Sequence, residues 1–242
     1  LLKIGNSASF PFMSAPDAAF DALAARHLAG SRSMPDAVAE ALREGILTGL
    51  LPAGRQLKQD HLARRFGVSR APVREALQVL AGEGLLTVSR HRGVTVAPAD
   101  PADLTEIAEL RGLLEGHALR LSGPRLSGAD FAEAAALLDQ AEAATDPARQ
   151  AELHWRFHRV LLRRAERPRI LAQIEHLQIA VSRYLLPAWT AAGLSAGWVA
   201  SHRDLLRLAQ SGHVAAAAEL NAGQIEEARA RVAAWLQTQE PA

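Results

Sequence analysis

Histidine has the most specific spacing in this 242-residue chain. His154 and His158 stand four positions apart in a stretch with helical periodicity, so both rings leave one face of the helix. Two such nitrogens make a workable pair of ligands for zinc or a similar divalent transition metal. His202, on a later helical stretch, can supply a third. The same side chains also suit metal-free hydrogen bonding to a ligand, or ordinary packing inside a helical domain. His117, His176 and His213 lack comparable partners and are expected at the surface or in packing. No His-Glu-x-x-His arrangement occurs, and the carboxylate nearest by sequence is Glu152, so a metal-dependent enzyme is the weaker alternative.

A second concentration of chemistry is the run Leu62 to Glu83, which spells helix, tight turn, helix. Leu62, Ala63 and Phe66 give the first helix an apolar stripe. Gly67 supplies the turn, and Ser69 stands where an N-cap is needed. Pro72 falls in the first turn of the second helix, where its missing N–H costs little. Val73, Leu77 and Leu80 form that helix's buried face. Ser69, Arg70 and Arg74 are left at its N-terminus, pointing away from the core. In a helix-turn-helix the second helix enters the major groove by those residues, and arginine suits both guanine edges and phosphates. Arg64 belongs to the same exposed surface.

The elements needed to position these groups follow from punctuation along the chain. Residues 1–34 mix Ser, Ala, Gly and Pro with an Ala-rich stretch from Asp17 to Leu28 that could form a helix, and are expected to be a disordered or loosely packed extension. A helix is predicted over Pro35–Thr48, with Val38, Leu42 and Ile46 inward. Gly49 to Gly54 reads as loop. After Gly84 the pattern becomes strand, Leu85–Ser89, a basic tip Arg90-His91-Arg92-Gly93, then Val94–Ala97. That is a β-wing, whose Arg90, Arg92 and Gly93 can reach a phosphate backbone or a minor groove. Pro98-Ala99-Asp100-Pro101 marks a boundary. Beyond it only helices are predicted, over 101–122, 127–144, 147–165, 168–186, 197–211 and 213–238, with a break at Pro187 to Gly197. Short connections make them antiparallel neighbours. The fold class is therefore mainly α, a winged helix-turn-helix over 35–98 followed by an antiparallel helical bundle over 99–242.

Charge is divided along the same boundary. Residues 35–98 carry 9 basic and 6 acidic side chains, and residues 99–242 carry 15 and 18. A basic module joined to an acidic one suits a nucleic-acid reader attached to something with another task. The absence of Cys excludes disulfides and thiolate metal sites. No apolar run approaches a membrane span, and Leu1 to Ser7 lacks a signal-peptide layout, so a cytoplasmic location is expected.

From Ile46 to Val96 the chain resembles the GntR family of bacterial transcription regulators. The resemblance rests on Gly49-x-x-Pro52-x-Gly54-x-x-Leu57, Leu62-Ala63-x-x-Phe66-Gly67-Val68-Ser69-Arg70-x-Pro72-Val73-Arg74-Glu75-Ala76-Leu77, Leu80-x-x-Glu83-Gly84-Leu85 and Arg92-Gly93-Val94-x-Val96. The second half resembles the all-helical effector domain of the FadR-like subfamily, through Asp103-Leu104-x-Glu106-Ile107-x-x-Leu110-Arg111-x-x-Leu114-Glu115, Phe157-His158-x-x-Leu161 and His202-x-x-Leu205-Leu206-x-Leu208. The resemblance implies a homodimer that binds a palindromic operator on double-stranded DNA, represses by default, and answers to a small carboxylate effector. It also implies a metal set carried by His154, His158, His202 and Gln224. The chain departs from the subfamily pattern twice, with His154 where Asp is usual and Gln224 where the last His is usual. By the same resemblance Arg111 points to the effector, although an Arg111–Glu115 helical ion pair explains it equally well. Arg183 and Tyr184 are further candidates for the cavity wall. A DNA-binding dimer without an effector is the remaining alternative.

Overall fold

The computed structural model describes residues 15–89, 93–192 and 197–238. Within them the order is α1 (Ala15–Leu28), α2 (Met34–Leu47), α3 (Gln59–Phe66), α4 (Arg70–Gly82), β1 (Leu86–Ser89), β2 (Gly93–Val96), α5 (Pro101–Ser122), α6 (Gly128–Ala143), α7 (Pro147–Leu162), α8 (Pro168–Ala192), α9 (Trp198–Gln210) and α10 (Val214–Gln237). No described helix is long and apolar enough to cross a membrane.

The N-terminal module forms around Val38, Leu42, Phe66, Val73, Leu77, Leu80 and Leu85, all buried. α2 starts where Ser33 Oγ accepts a hydrogen bond from the Asp36 amide. α3 ends on Gly67 in the left-handed region, φ 65°, which permits the sharp turn into α4. Ser69 holds the N-cap position of α4 with extended backbone but makes no side-chain capping bond, contrary to the sequence reading. β1 and β2 pair antiparallel with Leu86 opposite Val96 and Ser89 opposite Gly93. The segment before α3 joins them: the Gly54 amide donates to Val96 O, the Val96 amide to Arg55 O and the Leu57 amide to Val94 O. The wing is thus anchored to the helix-turn-helix by a third extended segment.

Two expectations need correction. Residues 15–28, expected to be part of a loose extension, form α1, and Phe20 (1% exposed), Leu23 and Ala24 enter the N-terminal core. Phe20 meets Phe66 edge to face at 5.8 Å and lies so close to α2 that a Cβ on Gly45 would stand 2.9 Å from its ring. Arg65 pairs with Asp21, and Glu44 with Arg26 and His27. Secondly, α8 does not stop at Pro187 but runs on to Ala192. Its interior proline removes a backbone hydrogen bond, while the next two residues, Ala188 and Trp189, are buried in the bundle and compensate.

The second module is built from capped helices. Asp100 and Asp146 accept from the amides of Ala102 and Ala148, and Ser127 with Asp130 forms a capping box. α5 packs along α10 and α8, and α6 along α7 and α9. Where the modules meet, Arg183 on α8 donates to Gly84 O and to Asp103. It also reaches the Tyr184 hydroxyl, 2.7 Å away, which in turn donates to Asp103 at 2.7 Å.

Candidate functional site

The first candidate surface is the outer face of α3 and α4. Arg64, Ser69, Arg70 and Arg74 are exposed and Pro72 is half-buried, because the inward positions of α4 are taken by Val73, Ala76, Leu77 and Leu80. Arg70 pairs with Asp60 at 2.6 Å across the turn, both side chains well exposed. Gly93 opens β2 with φ 70°, a backbone conformation that favours glycine. Arg90, His91 and Arg92 lie outside the described residues.

The second is a cavity of about 220 Å³ in the helical module, lined among others by Arg111, His154, His158, His202, Gln224 and Arg231. α7 contributes His154 and His158, α9 His202, and α10 Gln224 and Arg231. The three Nε2 atoms form a triangle, with His154–His202 at 3.1 Å, His158–His202 at 3.1 Å and His154–His158 at 3.2 Å. Hydrogen bonding does not satisfy this triangle. His202 Nδ1 lies 2.8 Å from Trp198 O; a carbonyl only accepts, so Nδ1 carries the proton and the neutral ring presents a bare Nε2. A single proton on either other ring serves one edge, and protons on both would face each other across 3.2 Å. Burial holds all three rings below the usual histidine range, His202 down to about 4, with the neighbouring histidines and Arg111 adding to the effect on His154 and His158. They are neutral near pH 7 and present lone pairs.

These residues fit a metal ion. Nitrogens roughly 2.0–2.1 Å from one ion, in tetrahedral or octahedral arrangement, are separated by about 2.8–3.4 Å, a range that contains all three edges. The surrounding atoms support the same conclusion. The Trp198 carbonyl orients His202, as outer partners of metal-bound imidazoles do. Glu115, fully buried, sits 3.9 Å from His158 Nδ1 and receives Arg111 Nε at 2.7 Å and Asn221 Nδ2 at 3.3 Å. So Arg111 makes the ion pair and lines the cavity as well.

Gln224 donates through Nε2 to Ser201 O at 2.9 Å and Ser201 Oγ at 2.6 Å, leaving Oε1 buried with no partner among the described residues. Trp198 Nε1 is likewise buried and unpartnered. Arg231 makes no ion pair with a described residue, and reasoning from the sequence missed it. Its signal was positional, since Gln224, Ala228 and Arg231 recur at i, i+4 and i+7 on one face of α10. Arg183, expected at the cavity wall, is instead in the contact between modules, together with Tyr184. Glu152 is paired with Arg149 and Arg156 on the outside of α7. His117, His176 and His213 are exposed.

A winged helix-turn-helix tied to a helical bundle, with a nitrogen-lined cavity in the bundle, defines a class of two-module regulatory proteins. The family model described as bacterial regulatory proteins, gntR family, matches residues 35–96, and the FCD domain matches residues 106–227. The chain belongs to the GntR family, in the group whose second module is an FCD domain, like the FadR-type regulators. A GntR-family transcriptional regulator from Pseudomonas syringae pv. tomato is 34% identical, covering 92% of this chain and 95% of that one, with a TM-score of 0.52. McbR/YncC of E. coli is 25% identical over 87% of this chain and 100% of that one, with a TM-score of 0.71. The gluconate operon transcriptional repressor of Bacillus subtilis is 41% identical over 78 residues, 32% of each chain. The chain spans about half the length of the first curated relatives it matches.

Proposed function

We propose that the chain is a ligand-responsive, DNA-binding transcription regulator, a repressor by default, that works as a homodimer on a palindromic operator. Arg64, Ser69, Arg70 and Arg74 present the groove-reading face, with Arg90 and Arg92 of the wing adding phosphate contacts. His154, His158 and His202 hold a divalent transition metal, and Gln224 Oε1 completes or borders the set. The bound ion supplies positive charge and open coordination positions to a small carboxylate effector. Arg231, without an ion-pair partner among the described residues, faces the same carboxylate, and Trp198 Nε1 offers it a hydrogen bond. Arg111 acts one step back, fixing Glu115 against His158. The observation that carries this reading is the triangle of neutral Nε2 atoms, which hydrogen bonding leaves unsatisfied, inside a module joined to a winged helix-turn-helix.

The test is one set of titrations of fluorescent upstream DNA, with metal content measured on the same preparations. Arg74→Ala is expected to lose at least tenfold in DNA affinity with metal content unchanged. His158→Ala is expected to keep DNA affinity, lose the metal, and lose any release of DNA by small carboxylates. DNA binding indifferent to Arg74 would refute the DNA-reading assignment, and a metal-free wild type would refute the metal.

A further inference from the structure

Behind the histidine cavity lies a second one, of about 250 Å³, between α7, α8 and the end of α2. Its walls include Leu47, Trp155, Gln178, Ile179, Leu186 and Trp189. Leu47 and Ile179 also pack on the core of the winged module, so the cavity sits at the junction of the two modules. The rim carboxylate, Glu152, is held by Arg149 at 2.5 Å and Arg156 at 3.6 Å. Among the described residues no arginine or lysine lines this cavity, in contrast to the histidine cavity with Arg111 and Arg231, and His154, buried and neutral, is common to both.

One polar atom in this wall is left over. Gln178 is 8% exposed. Its Nε2 points to Ser182 Oγ at 3.4 Å, and Ser182 Oγ donates at 2.7 Å to the Gln178 main-chain oxygen. Gln178 Oε1 is buried with no hydrogen-bond partner among the described residues. A buried acceptor without a donor is costly, and native interiors rarely leave one so. The rest of the wall is two indole rings, aliphatic side chains, Ser182 and His154, with the paired Glu152 at the rim.

We infer that this junction cavity is a second ligand site, taking an uncharged, planar aromatic molecule with one N–H or O–H that donates to Gln178 Oε1. The volume suits a one- or two-ring molecule, since an engineered apolar cavity of roughly 150 Å³ already admits benzene. The tryptophans offer stacking surfaces. The lack of a cation disfavours carboxylates, and this separates the site's chemistry from that of the histidine cavity. An occupant touches Leu47 of the winged module and α7 and α8 of the bundle together.

The probe pair is indole and indene, which share shape but differ in the N–H, titrated calorimetrically into the full chain. Indole is expected to bind wild type about fivefold tighter than indene, the worth of one net hydrogen bond. Gln178→Leu should abolish that preference. Ala151→Phe, which fills the cavity from α7, should weaken indole at least tenfold while circular dichroism and melting show a folded chain. His202→Ala should leave indole binding intact. Failure of folded wild type to take up indole, or equal uptake by Ala151→Phe, would overturn the site. Loss in His202→Ala with retention in Ala151→Phe would also overturn it, by placing indole among the histidines.

Discussion

At the scale of single residues, the chain shows how context decides what a charged side chain does. Asp130 is the plainest case. Its carboxylate accepts from Ser127 Oγ and the Ser127 amide and pairs with Arg163 and Arg164. These hydrogen bonds, those of Ser127 first, hold its pKa well below the usual carboxylate value. A depressed carboxyl contributes stability that is fully present above the unfolded pKa of about 3.9 and lost as pH falls below it. Asp130→Asn is therefore expected to lower Tm at pH 7 and to flatten the fall in Tm between about pH 4 and pH 2; an unchanged acid limb would show that other carboxylates carry it. The histidines were legible at this scale because spacing four apart is a property of the sequence. Arg231 was not, because an arginine on an Ala-rich helix is distinguished only by the neighbours that leave it unpaired. Arg183 was placed wrongly for the same reason: its partners, Gly84 and Asp103, lie 99 and 80 positions away.

At the scale of elements, sequence punctuation does most of the work. Asp100-Pro101, Ser127 and Asp146-Pro147 announce helix starts by local hydrogen bonding, and those boundaries fell where they were expected. The packing of α1 was missed because its hold on the module is tertiary. Phe20 packs edge to face on Phe66 and fills the space that Gly45 leaves on α2, and none of these residues signals the others from the sequence. Phe20→Ala removes a ring that is 1% exposed and contacts Phe66, and should cost about 3 kcal/mol of stability by chemical denaturation. A loss below about 1 kcal/mol would mean that α1 is peripheral to folding. Pro187 misled in the opposite direction. The sequence shows the cost of a proline in a helix, while the burial of Ala188 and Trp189 that outweighs it emerges only once α8 is docked.

At the scale of the whole molecule, α8 is the element both modules share. Arg183 and Tyr184 tie it to Gly84, to the linker at Asp100 and to Asp103 on α5, while the adjacent Leu185 and, a turn further on, Trp189 line the histidine cavity. Arg183→Met keeps the stem but removes the donors. It is expected to split a single calorimetric unfolding transition into two, one for each module, with DNA affinity little changed. A single transition at the wild-type temperature would show that apolar contacts alone unite them. Finally, His154, Leu185 and Trp189 form a party wall, with one face to each cavity. Three side chains cannot adjust to a guest on one side without presenting an altered surface to the other. If the two proposed guests bind, thermodynamic reciprocity holds them to a common factor: however much an aromatic molecule at the junction changes the grip on the acid, the acid changes the grip on the aromatic equally. On those two proposals, such a wall would make the protein a comparator of two chemical signals.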